Sequence, residues 1–404
     1  MHPLRVLFVS PYLPSLIRVR PYNLIKYLAR QGHQLTLLAL EPPGEDRSGL
    51  DSLRDWCDQV ITVPLPRWRT FWNALRAIPS HTPIQAAYSR SPEMAALIRQ
   101  IQSEQSFDVA HVEHLRGAEL SYALNGLPTV FDSVDSISLL FERVKFAGPT
   151  WGSRLRAGLD LARTRRYESR LLKRFERVLV TSPHDRDALA RLASTTEAND
   201  RLCVLPNGVD LDYFKPLDLP RDPATIIFSG KMSYHANIAA AIDLARQIMP
   251  HVWQQRPTAK LVLAGKDPAP ELLALAADPR IVVTGTVPDL RPYLAQATVA
   301  VSPIRYGVGI QNKVLEAMAM ATSSVASSQA TSALQVQAGR DLLTADSPET
   351  LAQAIVELLM HDALRQSIGQ AGRHYVETYH DWNGAAETLA GVYQAAIAET
   401  KATL

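Results

Sequence analysis

The sequence predicts an α/β protein made of two doubly wound parallel-sheet domains, and three observations carry that expectation. Short runs rich in Val, Leu and Ile, bounded by polar residues or Pro, alternate with helix-length segments, which is the grammar of βαβ units. The same grammar restarts after residue 220. Between the halves stands Leu205-Pro206-Asn207-Gly208-Val209-Asp210, followed by Pro216, Pro220 and Pro223: an Asn-Gly turn signal and a stiff, extended linker. The 404 residues are enough for two buried cores.

In the first half, strands are expected at 4–10, 34–40, 59–64, 107–112, 128–132 and 177–181. Each is a near-continuous apolar run, as strands buried on both faces are. Helices are expected at 21–31, 91–104 and 156–176. The opening run Val6-Leu7-Phe8-Val9-Ser10 is too short for a signal peptide and lacks a small-residue cleavage site, so it reads as a first strand of a cytoplasmic protein. In the second half, strands are expected at 224–229, 259–264, 280–284, 298–302 and 323–327, and helices at 236–255, 289–296 and 311–320. The tail from about 347 reads as helical, with Ser347 as N-cap and Pro348 in the first turn. Its last helix runs from near Trp382 to about Lys401. The expected division is a first domain over 1–206, a second over 207–378, and a C-terminal helix over 379–404 that packs back on the first.

Composition removes several classes. With 47% hydrophobic and 20% charged residues the chain is globular, not disordered. Two cysteines, Cys57 and Cys203, exclude a disulfide scaffold and a cysteine-rich zinc module. Lys and Arg number 42 against 40 Asp and Glu, so overall charge points to no nucleic-acid partner. No apolar run reaches the roughly 18–20 residues of a membrane span. The first strand leads into Pro11-Tyr12-Leu13-Pro14-Ser15, not into a G-x-G-x-x-G turn, and neither a P-loop, a G-x-S-x-G elbow nor an H-E-x-x-H helix occurs. Two doubly wound domains without those motifs are expected to hold a ligand in the cleft between them.

The densest chemical signal is Ser302-Pro303-Ile304-Arg305-Tyr306-Gly307-Val308-Gly309-Ile310-Gln311-Asn312-Lys313-Val314-Leu315-Glu316. A strand ends, a loop with two glycines follows, and a helix begins. Glycines let backbone N–H groups approach a ligand, and a helix N-terminus favours phosphate. Lys313 in the first helical turn opposes the helix dipole unless an anion sits nearby. Glu316, one turn on, suits ribose hydroxyls. Spacing alone equally allows a plain strand–loop–helix with a surface Lys and Glu.

That segment resembles the donor-site motif of retaining glycosyltransferases of family 4, with its Lys-x-x-Glu-Ala-Met-Ala helix start. Other pieces of the resemblance follow in order: Asn207-Gly208-Val209-Asp210 with Phe214 and Pro216; Phe228-Ser229-Gly230-Lys231-Met232; Leu261-Val262-Leu263-Ala264-Gly265; and Val283-Thr284-Gly285-Thr286-Val287-Pro288-Asp289. The string Phe228 to Asn237, Gly309-Ile310-Gln311-Asn312-Lys313, Gly372-Arg373-His374-Tyr375-Val376-Glu377 with Trp382, and Arg20-Pro21-Tyr22-Asn23-Leu24 are most similar to sugar transferases of exopolysaccharide and PEP-CTERM export systems. The sequence departs from the family at Val308, where the first of two glutamates eight positions apart would stand. It also departs at Lys231, where many members have Arg, and at Ala236-Asn237, where a second Lys is usual. The helix exit Ala321-Thr322-Ser323-Ser324-Val325 lacks the customary glycine.

The resemblance implies a GT-B fold of two facing Rossmann-like domains and retaining transfer by front-face attack, with no metal or other cofactor. The donor would be a UDP- or GDP-sugar and the acceptor a glycan or lipid-linked molecule. Gly230, Lys231, Gly307, Val308, Gly309, Ile310 and Lys313 would hold the diphosphate, Glu316 the ribose, and Gly265, Thr286 and Val287 the base. On the acceptor side, strand ends offer Glu113, His114, Asp132 and Asp135 as catalytic candidates, and Arg18 and Arg20 as anchors for an anionic acceptor. His111 reads as a buried core histidine. The alternatives are a nucleotide-sugar 2-epimerase of the same fold and a non-catalytic sugar-nucleotide binder.

Residues 143–177 carry eleven Lys/Arg against three Asp/Glu, and Arg67-Trp68-Arg69-Thr70-Phe71-Trp72-Asn73-Ala74-Leu75-Arg76 interleaves arginine with aromatics. Together they suggest peripheral contact with an anionic membrane. A solvated charged helix and core aromatics would give the same pattern.

Overall fold

A computed structural model describes residues 2–147, 151–193, 195–306 and 309–403; the side chains of 146, 147, 151, 153, 154, 156, 157, 159 and 403 lie outside that description. The chain forms two compact units, Met1–Pro206 with Trp382–Leu404, and Asn207–Asp381.

In the first unit, β1 (Arg5–Ser10), β2 (Gln34–Glu41), β3 (Gln59–Pro64), β4 (Val109–Glu113), β5 (Thr129–Val134), β6 (Arg177–Val180) and β7 (Leu202–Val204) form one sheet ordered β3-β2-β1-β4-β5-β6-β7. Every pairing is parallel. In the second unit, β8 (Thr225–Ser229), β9 (Lys260–Ala264), β10 (Ile281–Gly285), β11 (Val299–Ser302), β12 (Ser324–Ala326) and β13 (Leu343–Thr344) are ordered β10-β9-β8-β11-β12-β13, again all parallel. Strand bounds fall within two residues of those the sequence predicts. Strand order reverses direction between β1 and β4, and between β8 and β11. Open α/β sheets bind ligands off the carboxyl ends of strands at such points.

The predicted helix 236–255 is interrupted. It runs His235–Asp243, widens to a π segment over Leu244–Ile248, and resumes at Met249–Gln255. Pro250 explains the widening: it has no N–H, and its ring would strike the preceding turn of a regular helix. The final helix, Trp382–Thr403, places Trp382, Leu389 and Tyr393 in the core that also holds Phe8, Leu24 and Val130. Among the described residues no helix is long and apolar enough to cross a membrane.

The helix exit without glycine takes the geometry a glycine would take. The N–H of Thr322 donates to the Ala317 carbonyl at 3.0 Å and that of Ala321 to Met318 at 2.9 Å, the two bonds of a Schellman stop. Ala321 therefore sits at φ +51°, where its Cβ is strained. Ala321→Gly should stabilise the second unit by about 1 kcal/mol, read as a raised midpoint in urea unfolding.

Candidate active site

The second unit gathers its candidates at the carboxyl ends of β8, β9, β10 and β11. Gly230 follows β8 at φ +147° and Gly265 follows β9 at φ +152°. The two turns pack backbone on backbone: the Gly230 N–H donates to the Ala264 carbonyl at 3.0 Å, and the Met232 N–H to the Lys266 carbonyl at 2.8 Å. A Cβ at Gly265 would stand 1.7 Å from the Gly230 carbonyl oxygen, so no side chain fits there. A Cβ at Gly230 would stand 3.2 Å from Cε of Lys313 and 2.9 Å from Nδ2 of Asn237. The turn after β8 thus lies directly against the first turn of the helix that follows β11.

That helix, Asn312–Ala319, starts without a side-chain cap on Gln311 and without an acidic residue in its first turn. Neither a cap nor an acidic side chain in its first turn offsets its positive end. Lys313 adds a second positive charge there. Its ammonium donates to Gln311 Oε1 at 3.1 Å and lies 5.7 Å from the centre of the Phe228 ring. Burial pulls its pKa down to about 8, a fall that the charge of Glu316 partly opposes. Burial pushes the Glu316 carboxyl up to about 7, and Lys313 pulls the other way. A lysine desolvated over a helix N-terminus, with a carboxyl one turn away, is poised for an anionic ligand.

The remaining donor-side candidates are spread along the same edge. Lys231 is exposed, while its carbonyl is held by Asn237 Nδ2 at 2.9 Å. Gly309 has φ +72°, and Ile310 is buried. Gly307 and Val308 lie outside the described residues. Thr286 is exposed and Val287 half-buried, just after Gly285 closes β10 at φ +68°. β10 is two strands from β8, about 10 Å at the usual strand spacing. Sequence reasoning missed an aromatic group beside this edge. His235 stacks on Tyr306 with ring centres 5.5 Å apart, and their polar atoms meet at 3.1 Å. The only signal for it was the position of Tyr234-His235 inside the string from Phe228 to Asn237.

The first unit divides its candidates into a buried set and a rim. Arg20, Glu113 and Asp132 are buried, and they surround His111. Arg20 Nε donates to Asp132 Oδ2 at 2.7 Å, and Arg20 Nη1 to the Leu205 carbonyl at 2.9 Å. His111 Nε2 stands 3.5 Å from Glu113 Oε2 and 3.9 Å from Asp132 Oδ2. Its ring stacks on Phe8 at 4.2 Å, and its Nδ1 meets the Tyr393 hydroxyl at 2.9 Å. The Tyr12 hydroxyl donates to Glu113 Oε1 at 3.0 Å, and burial pushes the Glu113 carboxyl above its usual range.

The structure places three of these candidates away from solvent: the Arg20 guanidinium is turned inward on Asp132, and Glu113 and Asp132 are buried at the ends of β4 and β5. His111 is buried as expected, but at the centre of a charged network. His111, Glu113 and Asp132 lie close enough together to suit a cation, and the Arg20 guanidinium already supplies one.

The rim holds His114, Asp135 and Arg18. His114 sits at φ +61° directly after β4, and Val134 at φ +67° ends β5; both are costly conformations that aim the strand ends. His114 Nδ1 accepts the Arg116 N–H at 3.2 Å. Burial, with Arg116 and Arg18 nearby, lowers its pKa to about 3, so the ring is neutral at pH 7 and carries its proton on Nε2. Asp135, half-buried, accepts from Thr181 Oγ1 at 3.1 Å and is pushed up to about 6 by burial and by the charge of Asp185. Arg18 lies over the Tyr12 ring at 4.3 Å and 3.7 Å from Glu45.

Comparison with known proteins gives both halves one class. Residues 18–213 match the model of Glycosyltransferase Family 4, and residues 223–361 that of Glycosyl transferases group 1. No curated protein matches the chain. Among solved structures, sucrose-phosphate synthase from Thermosynechococcus elongatus superposes with TM-score 0.69 at 17% identity, over 98% of this chain and 100% of that one. A glycosyltransferase from Rickettsia africae gives 0.67 at 15%, over 98% and 99%. Anabaena HepE in complex with UDP and glucose gives 0.65 at 14%, over 97% and 100%. Each half of the chain is thus similar to a glycosyltransferase family model, and the fold is that of the GT-B glycosyltransferases.

Proposed function

We propose that the protein is a retaining, metal-independent glycosyltransferase that moves a sugar from a UDP- or GDP-sugar to a glycan or lipid-linked acceptor in the synthesis of a cell-surface polysaccharide or glycolipid. The observation that carries the reading is Lys313: a desolvated cation at an uncapped helix start, pressed against the glycine turn after β8, at the point where strand order reverses. Breaking the bond from anomeric carbon to diphosphate gathers negative charge on the leaving group, and preorganised positive groups stabilise that charge most where water is excluded. Lys313 and the helix start would hold the diphosphate, with exposed Lys231 reaching it from the facing turn. Glu316 would accept from the ribose hydroxyls, and the backbone at Thr286 and Val287 would meet the base. The UDP complex of HepE, a protein of the same fold, supports a nucleotide donor. In the first unit, His114 and Asp135 are the candidates for contact with sugar or acceptor. A lipid-linked acceptor would also give a use to membrane contact through 67–76 and 143–177.

The two shifted groups predict a pH profile. Diphosphate binding needs Lys313 charged, which fails as pH rises through about 8. Ribose binding needs Glu316 ionised, which fails as pH falls through about 7. The kcat/KM for donor hydrolysis should therefore peak between those values, with the alkaline limb removed in Lys313→Arg. The reading itself is tested by donor turnover in EDTA with the anomeric configuration of the product followed by NMR. Inversion, or activity only with added metal, contradicts the mechanism. Isomerisation of the donor sugar without transfer selects the epimerase.

A further inference from the structure

The first unit carries a second pocket, of about 390 Å³, that no part of the donor chemistry uses. Its walls are Thr82, Arg90, Glu119, Tyr122, Arg170 and Arg174. Arg174 stands just ahead of β6 in the chain, and Tyr122 ahead of β5. None of the candidates His114, Asp135 and Arg18 lines the pocket.

Its charges are unevenly matched. Glu119 is spent on the floor, where it accepts from Arg90 Nε at 2.8 Å and from the Tyr167 hydroxyl. Arg174 donates from Nε to Ser121 Oγ at 3.0 Å and lays its guanidinium 3.7 Å over the Tyr122 ring. That stacking fixes the plane of the fork, and the side chain remains exposed. Among the described residues no carboxylate lies within 4 Å of Arg174 or Arg170, both exposed. Two guanidinium forks over a neutralised floor are the donor set for a phosphate.

The surface beside the pocket is apolar. In helix Arg67–Ala77, Trp68, Phe71, Trp72 and Leu75 point into solvent, with Trp68 60% and Phe71 64% exposed. These are not core aromatics. The helix is tied to the pocket from both sides: Asn73 Nδ2 donates to the Arg90 carbonyl at 2.9 Å, and Arg163 Nη2, on the helix of Arg170 and Arg174, to the carbonyl of exposed Ile78 at 3.1 Å. Aromatic side chains beside clustered arginines match an anionic bilayer, with rings at the acyl boundary and cations at the phosphates.

We propose that this pocket binds the phosphate of an anionic lipid while Trp68, Phe71 and Trp72 enter the interface, a site apart from sugar transfer. It rests on the reading that the first unit meets a membrane. The test is co-sedimentation of the full chain with equimolar phosphatidylcholine–phosphatidylglycerol vesicles, against phosphatidylcholine alone. Arg170→Ala/Arg174→Ala should lower partitioning roughly 10–30-fold, at about fivefold or less per cation. Arg166→Ala/Lys173→Ala, which removes the same charge from the same helix outside the pocket, should lower it clearly less. Melting temperature shows that all variants fold.

Equal losses from the two pairs would mean diffuse charge attraction and overturn the pocket. Binding lost only in Trp68→Ala/Trp72→Ala would leave the membrane reading standing and overturn the lipid-phosphate site. Absence of wild-type sedimentation would overturn both. A melting shift with sn-glycerol 3-phosphate, abolished in Arg170→Ala/Arg174→Ala but without vesicle binding, would assign the pocket to a soluble phosphate and overturn the lipid source.

Discussion

Lys313→Ala is expected to lower donor turnover by about 10²–10³-fold, the usual cost of removing one preorganised donor to a developing negative charge. The loss should fall on kcat as well as on affinity, because the diphosphate is more negative when it leaves than when it arrives. Glu316→Gln separates function from folding. The folded Glu316 carboxyl holds its proton to about pH 7, well above the ordinary 4.5. Folding is therefore opposed by an amount that grows as pH rises from about 4.5 to about 7 and then stays constant. Gln removes that opposition, so the variant's melting temperature at pH 8 should equal or exceed wild type. Its melting shift with donor should be lost. A Glu316→Gln protein that melts lower and still binds donor would mean that the carboxyl is structural.

Arg20→Met should destabilise the first unit by about 3–5 kcal/mol, because it strands the buried Asp132 carboxylate with no other cation at hydrogen-bond distance among the described residues. Asp132→Leu should cost a similar amount, and also frees the Val134 N–H that Asp132 Oδ1 accepts at 3.0 Å. The double variant should cost less than the sum, with a coupling of about 1–3 kcal/mol. Tryptophan fluorescence reads this well: of the six tryptophans all but Trp253 belong to the first unit. Strict additivity would contradict the buried pair. Loss of the network should also release His114 from φ +61°, since the β4 end is pinned through Glu113.

The strands were legible because each is an apolar run set by its own residues. Those that the sequence did not reveal, β7 and β13, have three and two residues and no room for a pattern. The donor side was legible for a similar reason. Glycine turns and a helix start are local features, and Gly265 and Gly230 meet because adjacent parallel strands end side by side. The acceptor side was not. His111 looks like a core residue from its strand alternation, and its meaning comes from Arg20, Asp132 and Tyr393, the last lying 282 residues away. Nothing local says that Arg20 turns inward while Arg18, two positions earlier, stays at the rim. Trp68 and Trp72 show the converse: helical spacing fixed their stripe, and only the packing of Thr70 and Ala77 on the opposite face shows that the stripe points outward.

The measurement that tests the donor-site claim most directly is a melting-temperature screen of wild type and Lys313→Ala against UDP-, GDP-, ADP- and TDP-sugars, with EDTA present throughout. The account predicts that one nucleotide series stabilises wild type, that the matching nucleoside diphosphate does so alone, and that Lys313→Ala loses the shift while keeping its own melting temperature. If no nucleotide or nucleotide sugar moves the wild-type transition, or if Lys313→Ala responds as wild type does, the helix start after β11 is not a diphosphate site and the function proposed for it fails.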